Sequence, residues 1–405
     1  MKKIIALLVC LVLTFGMSVS AAEGAVTVSS ECDISDIEVP IETSANNAAI
    51  GQTLEIKAKS AILMEPNTGN ILYESNSDEV LAPASITKIM SLLLVMEAID
   101  KGMFDLETVI SASEHACSMG GSQIWLEPGE SMTVDDLLKA AVVASANDAT
   151  VALGEAVAGS EEGFVAMMNA RAKELGMLNT NFVNATGLDA EGHVTTAHDV
   201  ALMSCELIKH DLIKKYSTVW MDTLRDGKSE LVNTNKLVRF YKGTTGLKTG
   251  TTSTAGYCLS ATAERDGMEL VAVVMGGETS PDRFNGAKKL LDYGFANYTF
   301  TRIDSGLESG LTVPIANGTA EKAEVRSDGV LNVLLQRTAD QNIEREVVFN
   351  KNIKAPVKKG DVLGTVNISI GGEPVGEIEI TAACDVDKIT FGFVLKNLLT
   401  GLFKL

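Results

Sequence analysis

From Ser85 to Asp100 the chain reads SITKIMSLLLVMEAID, which is apolar on nearly every side of a helical wheel. A helix that is hydrophobic all round has no face for solvent and must be wrapped by other elements. The stretch therefore predicts a helix at the centre of a domain large enough to cover it. It also carries a charge, Lys88, three residues after Ser85. Residues i and i+3 share one helix face, and a charge among such neighbours is costly unless it is paired or has a task. The serine stands at the helix start, where unpaired N–H groups and the macrodipole favour developing negative charge. A lysine desolvated beside it has a lowered pKa and can act as a base toward the hydroxyl. The plain alternative is a capping serine with an incidental lysine, since one S-x-x-K is expected roughly once by chance in a chain of this size.

The rest of the chain supplies the covering. With 405 residues there is room for two domains and processing segments. SAILMEPNTGNILYESN predicts a hairpin turning at Pro66–Gly69. TVDDLLKAAVVASANDATVALGEAVAG predicts helix, with Thr133 and Asp136 in capping-box positions, and EEGFVAMMNARAKELGM a further helix stopped by Gly176. After TGLKTGTT, GYCLSATAERDGMELVAVVMGG predicts two strands joined at Asp266-Gly267, and DRFNGAKKLLDYGFANY a last helix. Strands at both ends of residues 53–300 and helices between them predict an α/β (α+β) domain. Its antiparallel sheet has first and last strands from opposite ends of the domain, with packed helices and a helical insertion. From 303 to 384, short alternating strands such as LNVLLQR, REVVFN, GTVNISI and GEIEITAA predict a small β-sandwich or barrel. That part has no cluster of catalytic residue types, which suits a spacer or interaction role.

The termini and composition narrow the setting. Residues 1–21 have the positive end, apolar core and small-residue cleavage site of a secretory signal, and 22–52 read as a polar linker. Residues 386–405 read as an amphipathic helix, with Phe391, Val394, Leu395, Leu398 and Leu402 on one side and Thr390, Asn397, Gly401 and Lys404 on the other. Three lysines in an otherwise acidic chain suit a helix lying on an anionic membrane surface; the alternative is a helix docked on the last domain. A net charge of −19 argues against a nucleic-acid partner. Six scattered cysteines show no metal spacing and suggest mostly reduced, buried thiols. Four histidines without H-E-x-x-H speak against a zinc hydrolase.

Two further motifs add weight to Ser85 and Lys88. Ser145-Ala146-Asn147 interrupts a helical run with two polar side chains, a hydroxyl able to relay a proton and a carboxamide able to hold a substrate amide. Alone it is weak, for Ser44-Ala45-Asn46 repeats it in the linker. Lys248-Thr249-Gly250 offers a charge, a hydroxyl and a glycine that lets a substrate backbone approach a strand edge; the plain alternative is a lysine before a turn. The order S-x-x-K, S-x-N, K-T-G within one domain is far rarer than any part. On this set the chain resembles the low-molecular-mass penicillin-binding proteins, serine-type D-alanyl-D-alanine carboxypeptidases of the S11 peptidase type. LAPASITKIM, GGSQIWLEPGE, ASANDA, NATGLDAEGHVTTAHDVALM, GLKTGTTSTAGYCLSATAERDG and DRFNGAKKLLDYGF extend the resemblance over nearly the whole length.

The resemblance implies a serine β-lactamase/transpeptidase-like domain followed by an all-β domain and a C-terminal membrane anchor. It implies Ser85 as the acylated nucleophile, Lys88 as its base, and Ser145 and Asn147 as proton relay and substrate holder. Lys248 and Thr249 would bind the terminal carboxylate with help from Arg283, beside Gly250, and the backbone N–H groups of Ser85 and Thr251 would form the oxyanion hole. Ser122 and Trp125 would border the site in a structural or a substrate role, and His193 and His198 take no catalytic part. It implies no cofactor or metal, a peptidoglycan stem peptide as substrate, β-lactams as inhibitors, and export to the outer face of the cytoplasmic membrane or the wall. A class A β-lactamase would need a Glu-x-x-Leu-Asn loop; the nearest match, Glu174–Asn179, is one residue too long, and Ala146 stands where those enzymes have Asp. Acyl transfer to an amine, as in a transpeptidase or endopeptidase, stays open, and a non-catalytic wall-binding protein would not need the intact set.

Overall fold

The computed structural model describes residues 26–28, 54–338 and 342–402. The predicted signal and most of the predicted linker lie outside them, as do residues 403–405. Inside the linker, β1 (Val26–Val28) departs from the expectation by running as a short strand.

The hairpin forms as β2 (Ser60–Met64) and β3 (Ile71–Ser75). A 3-10 turn, Ala84–Thr87, leads into α1 (Lys88–Asp100). The helical layer continues, past the small ribbon β4 (Val109–Ser111) and β5 (Ser131–Thr133), with α2 (Glu114–Cys117), α3 (Val134–Val143), α4 (Asn147–Ala158), α5 (Glu161–Glu174), α6 (Ala197–Leu207) and α7 (Lys214–Ser217). Then come β6 (Met221–Leu224), β7 (Ser229–Val232) and α8 (Leu237–Phe240), with β1 parallel to β7. The strands β8 (Thr244–Thr252), β9 (Gly256–Arg265) and β10 (Met268–Gly277) and the helix α9 (Ser280–Asn297) complete the domain. Asp266 and Gly267 both have positive φ, as a two-residue turn between right-twisted strands needs.

The main sheet is antiparallel, in the order β3-β2-β10-β9-β8, so strands from the two ends of the domain meet at β2–β10. The strands read as continuous apolar runs because both faces are covered. With a period of two, Ile62, Met64, Val271, Val273 and Met275 face the helical layer, while Ala61, Leu63, Leu270, Ala272 and Val274 face Phe284, Leu290, Leu291 and Phe295 of α9. Every residue of α1 from Lys88 to Met96 is buried. The helix packs against α4, α5 and α6, and α6 in turn packs on β2 and β10. The apolar wheel of α1 is thus accounted for on all sides.

Caps set several helix starts. Thr133 accepts a hydrogen bond from the Asp136 N–H, half of the expected box, whereas Thr279 and Asp282 form the full reciprocal box that opens α9. The long ASAND helix breaks in two: Ser145 takes φ +62° between α3 and α4.

The β-rich part has β11 (Tyr298–Asp304), β12 (Thr312–Pro314), β13 (Lys322–Arg326), β14 (Val330–Gln336), β15 (Ile343–Phe349), β16 (Val362–Ile370) and β17 (Glu373–Ala382). A five-stranded sheet, β12-β13-β17-β16-β15, lies beside the β11–β14 ladder. The change of character read at 300–303 falls inside β11, whose Tyr298 and Phe300, with Leu334 of β14, pack on the α9 side of the first domain. The last helix, α10 (Phe391–Leu402), starts later than expected, since Val386 and Lys388 bridge to Val357 and Gly318. Among the described residues Cys117, Cys205, Cys258 and Cys384 are free thiols; Cys205 and Cys258 are buried, while Cys117 is half-buried and Cys384 exposed.

Candidate active site

Three segments distant in sequence line one cleft of about 510 Å³: the turn carrying Ser85, the break carrying Ser145 and Asn147, and β8 from Thr249 to Thr252. The expected α-helical start at Ser85 is instead the 3-10 turn. With three residues per turn, positions i and i+3 eclipse, which stacks Ser85 and Lys88 side by side. Lys88 Nζ donates to Ser85 Oγ at 3.0 Å and to the Thr186 carbonyl at 2.9 Å. Just before the serine, Ala84 has φ +48°. Gly187, itself at φ +89°, presses on that residue so closely that a Cβ would lie 1.8 Å from the Ala84 carbonyl oxygen.

On the facing wall Lys248 Nζ donates to Ser145 Oγ at 2.7 Å and to the Thr249 carbonyl at 3.1 Å. The helix break is what turns the Ser145 hydroxyl toward β8, since a residue inside a continuous helix could not hold that left-handed φ cheaply. The Asn147 Nδ2 donates to the Gly120 carbonyl at 2.6 Å. Its buried Oδ1 has no hydrogen-bond partner, an acceptor that a substrate N–H can satisfy. Thr249 Oγ1 donates to Thr234 Oγ1 at 2.7 Å. β8 is the edge strand of the sheet, and at Gly250 it passes so close to the nucleophile turn that a Cβ would stand 2.9 Å from the nitrogens of Ser85 and Ile86. Arg283 Nη1 donates to Thr251 Oγ1 at 2.8 Å and to the Gly250 carbonyl at 3.1 Å, so it braces this strand from α9.

Burial shapes the electrostatics. Lys88 is inaccessible to solvent. Desolvation, with a push from the Lys248 charge, holds it well below the ordinary lysine range, and Asp148 pulls the other way. Lys248 is brought down to about 7, by burial first and then by the Arg283 charge. No group of three or more His, Cys, Asp or Glu side chains among the described residues could hold a metal ion.

The other residues singled out separate cleanly. Ser122 lines the cleft, whereas Trp125 does not and is 62 % exposed. His193 is a buried strut: its Nδ1 accepts from the Val183 N–H at 3.1 Å, which leaves Nε2–H to donate to Thr87 Oγ1 at 2.8 Å. Burial lowers its pKa to about 4. His198 lies near Asp199, away from the cleft lining. Glu174 is exposed at the end of α5, paired with Arg171 at 3.2 Å, and is absent from the cleft wall, so the β-lactamase alternative lacks its deacylating carboxylate. Sequence reading missed Thr186, Gly187, Thr234, Lys236 and Tyr257, which touch Lys88 or line the cleft. Thr234 is brought in by Asn235, whose Nδ2 donates to the Gly246 carbonyl at 2.8 Å, a link across the fold with no local signature.

Comparison with known proteins decides the family. A family model described as D-alanyl-D-alanine carboxypeptidase, of the S11 peptidases, matches residues 43–279, more than half of the chain. The chain belongs to this family. A second model, the C-terminal domain of penicillin-binding protein 5, matches residues 304–388. The carboxypeptidase is 44 % identical to D-alanyl-D-alanine carboxypeptidase DacF of Bacillus subtilis over 84 % of this chain and 89 % of that protein. Its fold is similar to penicillin-binding protein 5 of Haemophilus influenzae, with a TM-score of 0.69, 30 % identity, and coverage of 83 % of this chain and 99 % of the other. It is also similar to penicillin-binding protein D2 of Listeria monocytogenes, solved in an ampicillin-bound form, with a TM-score of 0.53, 34 % identity, and coverage of 60 % of this chain and 100 % of the other. The enzyme is a serine-type D-alanyl-D-alanine carboxypeptidase, a hydrolase that acts on cell-wall peptidoglycan.

Proposed function

We propose that Ser85 carries the acyl group, with Lys88 as its base. The observation that supports this most directly is the 3.0 Å contact between a buried, pKa-lowered Lys88 Nζ and Ser85 Oγ. In its neutral form Nζ takes the hydroxyl proton as Oγ attacks the carbonyl of the penultimate D-alanine. The backbone N–H groups of Ser85 and Thr251 receive the oxyanion, an arrangement favoured by the close pass of Gly250. The C–N bond breaks, and the Ser145 hydroxyl, hydrogen-bonded to Lys248, passes its proton to the leaving amine of D-alanine and is reprotonated by the proton that Lys88 took from Ser85. Water then attacks the ester and frees the shortened peptide. Lys248 and the Thr251 hydroxyl hold the terminal carboxylate, and Thr249 joins them by turning its proton away from Thr234 Oγ1; because Thr251 Oγ1 already accepts from Arg283, its proton is free to be donated. Asn147 Oδ1 takes a substrate N–H. β-Lactams, cyclic amides with a carboxylate, acylate Ser85 by the same attack.

Residues 1–21 direct export, residues 53–300 carry the chemistry, residues 303–384 act as a spacer, and α10 lies on the outer face of the cytoplasmic membrane. Supporting the last point, Phe391 and Leu398 of α10 are 83 % and 62 % exposed, so this helix is not docked on the β domain. No helix among the described residues is long and apolar enough to cross a membrane. The decisive experiment pairs release of D-alanine from a stem pentapeptide with covalent labelling by a fluorescent penicillin. Wild type is expected to do both, and Ser85→Ala neither; labelling of Ser85→Ala at the wild-type rate would refute the nucleophile assignment.

A further inference from the structure

Directly after Asn147 stands Asp148, 0 % exposed, at the start of α4. An acidic residue in a first helical turn is ordinary, since it meets orphan N–H groups and the positive end of the dipole. Asp148 does this once, with Oδ1 accepting from the Ala149 N–H at 2.9 Å. Its other hydrogen bonds leave the helix. The Ile124 N–H donates to both carboxylate oxygens, at 3.2 and 3.1 Å, and the Leu126 N–H donates to Oδ2 at 3.1 Å.

Those two amides flank Trp125, which is forced to φ +59°, a conformation that a bulky residue adopts only when its surroundings impose it. One step earlier the same two segments are joined in the opposite sense: Asn147 N–H donates to the Ser122 carbonyl at 2.7 Å, and Asn147 Nδ2 to the Gly120 carbonyl at 2.6 Å. Gly121 and Ser122 are cleft wall. Arg225 holds the far side of the loop, with Nη1 on the Ile124 carbonyl at 2.8 Å and Nε on Glu130 at 2.7 Å. Loop 120–126 and residues 147–148 are therefore one latched unit. Apart from that latch, the buried carboxylate pulls the Lys88 pKa up, against the lowering by burial and by the Lys248 charge.

We propose that Asp148 is a positioning residue for acylation: its carboxylate locks the 120–126 wall onto the Ser145–Asn147 break and holds a buried negative charge in that unit. The inference rests on the Ser85–Lys88 reading above. If that reading fails, wild type takes no penicillin label; if only the role of Asp148 fails, wild type labels normally and the variants decide.

The test measures the acylation rate of the full chain by fluorescent penicillin across pH, for wild type, Asp148→Asn and Asp148→Glu. In Asp148→Asn one N–H-accepting oxygen becomes an NH₂ that faces amide donors, and the charge is gone. The plateau rate is expected to fall roughly 10²-fold, the cost of about 1 Å of misplacement. The acid limb is expected to move to lower pH, because Lys88 without its counter-charge gives up its proton more readily. Asp148→Glu keeps the charge and is expected to leave the limb in place while recovering part of the rate. An unmoved limb in Asp148→Asn, or an equal shift in Asp148→Glu, overturns the charge role. Should Asp148→Asn not fold, hydrogen exchange on wild type still decides the latch. The amides of Ile124 and Leu126 are expected to exchange as slowly as core amides, and exchange at surface-loop rates overturns it.

Discussion

At the residue scale, the proposed mechanism rests on two buried lysines with opposite requirements. Lys88 must be neutral to accept the Ser85 proton, so activity is lost as pH falls through its lowered pKa. Lys248 must be charged to bind a carboxylate, so activity is lost as pH rises past its value of about 7. A bell-shaped kcat/KM is the expected outcome, with its alkaline limb near pH 7. The limb in kcat should lie higher, because bound carboxylate stabilises the charged lysine. Steady-state D-alanine release across pH checks both. Lys88→Arg keeps a charge that cannot be given up, and acylation should drop by about 10²–10⁴-fold at every pH, the usual share of a general base. A residual rate with the wild-type pH profile would remove Lys88 from the role. The Ser-x-x-Lys pair was legible in sequence because spacing along one turn is a local property.

At the element scale, the loop pressed on the nucleophile turn matters as much as the helix that follows it. Asn184 organises that loop: its Oδ1 accepts from the Thr186 and Gly187 N–H groups at 3.1 and 2.7 Å, and its Nδ2 donates to the Leu188 carbonyl at 2.8 Å. This presents the Thr186 carbonyl to Lys88 and Gly187 to Ala84. Gly187→Ala adds a Cβ at 1.8 Å from a backbone oxygen and a left-handed φ penalty. It should lower stability by about 1–3 kcal/mol and acylation by roughly 10²-fold, read by thermal unfolding and penicillin labelling; an active, stable variant would show that the loop is not a wall of the site. The terminal helix is a separate case. Deleting residues 391–405 should release the protein from anionic vesicles with D-alanine release from soluble peptide unchanged, and co-sedimentation equal to wild type would sink the anchor.

At the scale of the whole molecule, the two domains meet along a β11–α9 seam. Truncation at 303 would strip β11 of its partner β14, whereas ending the chain after Asn297 removes the ladder as a unit. The Listeria structure is matched over its whole length by 60 % of this chain. A chain ending at Asn297 should keep D-alanine release from a soluble pentapeptide within about threefold. Loss of peptide hydrolysis in a folded, monomeric truncation would give the β domain a catalytic share.

Periodicity, turn residues and motif order are local, and they were enough for the hairpin, the buried helix, the antiparallel sheet and the three motifs that the fold brings to one cleft. They could not show that Ser85 sits on a 3-10 turn, or that Ser145 leaves the helix at φ +62°. Both depend on what packs against them, Gly187 on one side and Lys248 on the other. Thr186, Thr234 and Asp148 were invisible for the same reason: each acts through a hydrogen bond to a segment about 15 to 100 residues away. The motif set determined which reaction this chain performs. Only the packing of loop, break and edge strand around a desolvated lysine decided how the protons are held.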